Sequence, residues 1–422
     1  MQPQKKYFSR LLFFFLIIIL VGIACQQTAQ PPANDQPQEN LEATIAALQT
    51  QMNTNPAVTQ IPEVVETQVA EAPVITATIP AENKQPDIPT SDMYPGFYVY
   101  QPGIFKAYDF NGNPLGIEFV AGLSTWYGEN EFTGFMDEVY YSEFIQGSGV
   151  FRVDGYGRHQ LNFIQSSDPV YMAVSLDRQH IAWSTSHWGT DAVSTEIFIS
   201  NLDGSNMQKV DSLGEDGDND QYLVYYPVKW LADGRLVYAT GPTGIGGYIL
   251  FWGYNGLFVY NPANGSIRTL VDIQEGLGLC LSSFSDQLDK VAITCGDGSP
   301  TVRVRNLSNG LDTKFPILPD QNSAGSVRFS PSGEWLAYVI QTSDPDQEYG
   351  QVVVAPADGS QAPVVVAAEK KSVFKVGGWL NEDDFLVTVT NMEKDISHVL
   401  KIAKDGSRVS QVVSGMFLDF IH

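Results

Sequence analysis

The chain has 422 residues, with 24 Lys and Arg against 48 Asp and Glu, a net charge of −24. That balance excludes a basic surface and with it ordinary phosphate-backbone binding to DNA or RNA. Apolar residues at 43% and aromatics at 12% exclude global disorder, and 37 Gly, 24 Pro, 19 Tyr and 23 Phe favour a turn-rich β protein over a helical bundle.

Residues 1–24 read as a processing segment. Lys5, Lys6 and Arg10 form a positive stretch, and Leu11 to Val21 is an unbroken apolar run. The run is shorter than the roughly 20 residues of a membrane span and suits a secretory signal. It ends in Gly22-Ile23-Ala24-Cys25. Small residues before a single Cys resemble the bacterial lipoprotein signal, with Gly22 where that pattern more often has Leu. The resemblance implies a mature N-terminus at Cys25 carrying palmitate-type acyl chains. Each buried methylene contributes about 0.8 kcal/mol, so several chains anchor the protein to a membrane. The remaining chain is then extracytoplasmic, at the cell surface or on the periplasmic side.

Residues 25–95 change character. Positions 26–95 hold ten Pro, ten Gln, no Gly and one aromatic, Tyr94, with nine acids against the single cation Lys84. Such a segment cannot bury enough apolar surface to offset its ordering entropy, and it reads as a disordered tether. Its seventy residues would reach up to about 230 Å if extended. Leu41, Ile45, Leu48 and Met52, behind Asn40, suit a short transient amphipathic helix.

From residue 96 to 422 a unit recurs. Seven hairpins turn around Asn111-Gly112, Asp154 to Gly157, Asp203-Gly204, Asn264-Gly265, Asn309-Gly310, Asp358-Gly359 and Asp405-Gly406. Successive glycines lie 45, 47, 61, 45, 49 and 47 residues apart. A period near 45 with many short strands signals an all-β propeller of four-stranded blades. Between these hairpins lies a second kind, best seen in Phe329-Ser330-Pro331-Ser332-Gly333-Glu334-Trp335-Leu336-Ala337-Tyr338. With its following Asp-Gly-Ser hairpin this pattern resembles the WD40-like repeats of TolB-type β-propellers, and the resemblance covers about residues 96–422. It implies a fold and leaves function open. Seven hairpins of the first kind and six of the second leave the first blade without an inner strand. Met416–Ile421 is β-rich and is expected to supply that strand, giving seven blades, with six or eight as alternatives.

Cys280 and Cys295 flank the hairpin Phe284 to Val291. If Ser285 pairs with Lys290, the two cysteines face each other, and an oxidising compartment permits a disulfide; otherwise both stay reduced in the core.

Motifs of chemistry are few. There is no Gly-x-Ser-x-Gly elbow and no His-x-x-x-His pair, and Gly241 to Gly247 lacks the following Lys of a phosphate loop. Asp216, Asp218 and Asp220 alternate as in a calcium loop, but Gln221 and Pro227 stand where that loop has Gly and Glu. No cofactor is called for.

In a propeller the tight turns lie on one face and the longer connections on the other. Exposed aromatics on the second face, Trp126, Trp188, Tyr225, Tyr226, Trp252 and Tyr254, stand beside acids. They suit a cationic protein or a stacked sugar. The expected protein is therefore a monomeric, membrane-tethered binding module. The alternative is a glycan hydrolase or lyase using paired acids at the propeller mouth, which would need carboxylates about 5–10 Å apart.

Overall fold

The computed structural model describes residues 94–120, 130–143, 149–189, 193–214, 222–242, 253–272, 280–294, 300–319, 321–342 and 349–422. Cys25 and the tether up to residue 93 lie outside them. The described strands form seven antiparallel four-stranded sheets, the blades of a propeller. In blades 2 to 7 the strands follow chain order. Their inner strands are Phe132–Gly134, Tyr171–Val174, Leu223–Trp230, Leu281–Phe284, Ser323–Phe329 and Ser372–Trp379. Blade 1 takes Phe97–Gln101, Ile104–Tyr108 and Pro114–Val120, and Met416–Phe420 fills its inner place.

The glycine period is the chain's turn chemistry made visible. Each of the seven hairpin glycines has a positive φ, from 69° at Gly265 to 129° at Gly157. A side chain there would meet the left-handed steric penalty, so the turn demands Gly. At six of the seven turns the Asp or Asn that opens it accepts from the backbone two residues on, and at Gly112 Asp109 takes that part instead. Asp203, Asp358 and Asp405 each take the N–H of the following Ser at 2.8–2.9 Å.

Burial explains the apolar runs. The second and third strands of blade 6, Trp335–Gln341 and Tyr349–Pro356, are buried along nearly their whole length, whereas its outer strand Val364–Lys370 is mostly exposed. Blades stack face to face, so a middle strand has no solvent side and its hydrophobic run is continuous. Seven core clusters result, each built by two successive blades. Seven interfaces for seven blades is a closed ring.

Two tryptophans clamp neighbouring blades. Trp230, ending the inner strand of blade 4, donates its indole N–H to Ala173 O of blade 3 at 3.0 Å. Trp379, ending that of blade 7, donates to Arg328 O of blade 6 at 3.0 Å. Side chains of the tight turns also bridge neighbouring blades. Arg178 reaches Asp137 and Glu138, and Glu382 accepts from the Ser332 N–H and hydroxyl at 2.6 and 2.8 Å. Trp335 is only half-buried, with the Lys404 ammonium 4.9 Å from its ring centroid. It packs at the rim of the blade 6–7 interface rather than deep within it.

Closure uses the C-terminal strand. Met416–Phe420 pairs antiparallel with Phe97–Gln101. Gly377 and Gly378 on the inner strand of blade 7 make room for it. A Cβ on either would come within 2.6 Å of the Phe417 or Phe420 ring. Ile421 N–H donates to Gly96 O and His422 N–H to Gly134 O, both at 3.0 Å, carrying the closure on to blade 2.

The hairpin of the two cysteines departs from simple pairing. Ser285 N–H does donate to Lys290 O, at 3.0 Å. A bulge between Leu281 and Ser283 then shifts the register. Cys280 O consequently accepts from Thr294, one residue short of the expected direct partner. Cys280 is disulfide-bonded; Cys295 lies outside the described residues.

Candidate functional site

First-to-second and third-to-fourth strand turns lie on one face of the ring, here the tight-turn face. The other connections lie on the opposite, long-loop face. The described chain begins at Tyr94, at the tight-turn face, where it stacks on Phe420 with centroids 4.5 Å apart and planes 7° apart.

On the long-loop face Trp188 ends the second strand of blade 3 and is 44% exposed. Tyr222, just before the inner strand of blade 4, is 38% exposed. Their rings stack at 6.4 Å and 27°. Tyr222 has φ 54°. A bulky residue in the left-handed region costs of order 1–3 kcal/mol, and such outliers cluster where a side chain must be aimed. The pair is a fixed aromatic surface open to solvent.

Other expected binding residues sit elsewhere. Tyr225 is not a loop residue. It lies in the inner strand of blade 4, 3% exposed, in the core between blades 3 and 4. Burial raises its phenol above the ordinary range, and the Asp211 charge adds to the shift. Tyr238 beside it donates to Asp211 Oδ2 at 2.9 Å. Tyr226 is half-buried in the same strand and donates to Pro242 O at 2.8 Å. Burial pushes its pKa well up, with Tyr171, Tyr254 and Glu131 adding to the effect. Trp126, Trp252, and Asp216, Asp218 and Asp220 of the calcium-like run lie outside the described residues. Among the described residues no group of three or more His, Cys, Asp or Glu is placed to hold a metal ion.

Tyr254 belongs to the centre of the ring. Its N–H donates to Leu281 O at 2.7 Å and its O accepts from Leu281 N–H at 3.1 Å. This fastens the connection of blade 4 onto the inner strand of blade 5. Asn130, leading into blade 2, donates to the Tyr254 hydroxyl at 3.1 Å. These two residues cross the channel at its long-loop end. Above them is a cavity of about 300 Å³, with Tyr94, Phe420 and His422 towards the tight-turn face.

The penultimate residue of every inner strand lines this cavity. Lys229, Ser283 and Arg328 come from the successive blades 4, 5 and 6; Asp419 and Thr133 face them from blades 1 and 2. Lys229 Nζ holds Asp286 of the next tight turn at 2.7 Å. Burial would lower the Lys229 pKa, but Asp286, Tyr94 and Asp419 outweigh it and raise it, so the amine stays protonated. The sequence reading missed this ring. Its members recur at the ends of inner strands, but no local pattern tells which of them point into the channel.

No family model and no curated protein sequence matches the chain. Solved structures do resemble it. A putative TolB from Agrobacterium tumefaciens is 13% identical, covering 61% of this chain and 86% of that one, with a TM-score of 0.38. TolB from Acinetobacter baumannii is 16% identical over 63% of this chain and 61% of its own, with a TM-score of 0.38. A prolyl endopeptidase is 13% identical over 76% of this chain but only 50% of its own length, with a TM-score of 0.47. TolB propellers are thus among its structural neighbours. The propeller assignment itself rests on the seven sheets and their closed ring of interfaces.

Proposed function

We propose that the chain is an extracytoplasmic lipoprotein, anchored through Cys25, whose propeller binds a protein or glycan partner through its long-loop face. The observation that carries this reading is the exposed, stacked Trp188–Tyr222 pair, held by a strained backbone at Tyr222. Aromatic anchors of this kind supply large contact area at small entropic cost. Tyr94 adds support. A tether from Cys25 would join the ring on the tight-turn face, leaving the long-loop face free of the anchor. No observation among the described residues favours the glycan hydrolase or lyase alternative.

Two experiments test the reading. Cys25→Ser removes the only thiol able to form the lipid thioether at that position. The variant should take up no labelled fatty acid in cells and should leave the membrane fraction; continued labelling would refute the anchor. Trp188→Ala should weaken capture of the partner from isolated cell envelopes by about thirtyfold, from roughly 2 kcal/mol at a hot spot. Its melting temperature should stay within about 2 °C of the parent, because the side chain is half exposed. A mutant that melts early and binds normally would make Trp188 a core residue.

A further inference from the structure

We infer that the central cavity is a second binding site, opening on the tight-turn face, for a small organic anion whose carboxylate or phosphate is received by the arc Lys229–Ser283–Arg328. The chain carries −24 overall, yet the cavity wall presents three cations, Lys229, Arg328 and Lys375, against two carboxylates, Asp286 and Asp419. In so acidic a protein, a channel lined by that balance is a local reversal of sign. Low-dielectric walls around it concentrate the field on an entering anion.

Geometry orders these groups. Lys229, Ser283 and Arg328 occupy the same penultimate position in three adjacent inner strands, so an ammonium, a hydroxyl and a guanidinium stand side by side near one depth. All three donate hydrogen bonds, and two carry fixed positive charge, the donor set that oxyanions take. Lys229 keeps Asp286 at the rim, which holds the ammonium in place while leaving it further protons to donate. Arg328 is held at both ends: its carbonyl accepts the Trp379 indole N–H, and its guanidinium Nη1 donates to Val327 O at 2.8 Å. Lys375 lies deeper on the neighbouring strand, as the Val376 N–H to Ser326 hydroxyl bond of 2.9 Å sets the register.

The remaining wall mixes polar groups, among them Asn130, Thr133, Thr388 and His422, with aromatic ones. Phe284, Phe329, Phe417 and Trp379 face the same space. At about 300 Å³ the cavity is at the small end of ligand sites. It therefore suits a compact ligand with an anionic head and an apolar body rather than a polymer. The Tyr94–Phe420 stack stands at its entrance, so the ligand enters beside the point where the chain joins the ring.

The test uses the full mature chain and three probes: inorganic phosphate, phenyl phosphate and benzoate, titrated calorimetrically at low ionic strength. Phenyl phosphate or benzoate should bind, and the aryl ester should bind more tightly than inorganic phosphate. Which aryl probe is preferred identifies the head group. Arg328→Gln should weaken binding about ten- to hundredfold, the range for a lost charged hydrogen bond, and Arg328→Lys should recover part of it. Lys229→Gln provides a second variant on a different blade should the first fail to fold. Trp188→Ala, on the opposite face, should bind the probes unchanged, which separates this site from the proposed partner face. If neither aryl probe binds, or if Arg328→Gln and Lys229→Gln bind them as the parent does, the assignment is overturned.

Discussion

Deleting Met416–His422 should abolish the native propeller or lower its melting temperature by about 10 °C or more. These residues form the inner strand of a blade whose other strands lie more than 290 positions earlier. Phe420 and Ile421 are 8% and 0% exposed, and burying them contributes about 3–6 kcal/mol before backbone pairing is counted. At about 2–4 °C per kcal/mol for a domain of this size, that alone approaches the expected shift. The loss also strips Phe97–Gln101 of its partner and uncovers Gly377 and Gly378, opening an edge that ring closure exists to remove. Thermal melting followed by circular dichroism measures it. Adding the peptide Met416–His422 back should restore part of the lost stability. A truncated chain with unchanged melting would mean that the ring is held without its closing strand.

The closing strand was legible because the two hairpin types come in unequal number, leaving blade 1 one strand short and the C-terminal run one strand over. The seven turn glycines were legible for a related reason: positive φ restricts residue choice so strongly that the backbone leaves a mark in the sequence. Binding residues leave no such mark. Tyr225 and Tyr226 look like loop aromatics because Pro227 follows them, and Pro argues against a central strand. In the fold Pro227 sits at a bulge, between Pro227 and Lys229, and the strand runs through it. The cysteine hairpin shows the same blindness to bulges: one extra residue near Ser282 shifts the backbone register, so the Cys280 carbonyl accepts from the Thr294 N–H. The cavity ring was hidden differently. Lys229, Ser283 and Arg328 lie about one blade apart in sequence and meet only because the ring closes.

Trp379→Ala should destabilise the propeller by about 3–5 kcal/mol, because a side chain 4% exposed leaves a cavity that its neighbours cannot fill. Part of that cost is packing, against Phe385 at 4.9 Å and the blade 6–7 cluster. Part is the hydrogen bond to Arg328 O. Trp379→Phe separates them: it keeps most of the apolar contact but leaves that carbonyl without its donor, which should cost about 1–3 kcal/mol. Trp230→Phe should show a cost of the same size, since the indole of Trp230 meets Ala173 O in the equivalent place at the same 3.0 Å. The two bonds belong to interfaces on different sides of the ring, so the double variant should equal the sum to within about 0.5 kcal/mol. Urea denaturation of the four proteins gives the cycle. If both phenylalanine variants are as stable as the parent, the clamps contribute packing alone, and blade-to-blade cohesion rests on the seven apolar clusters.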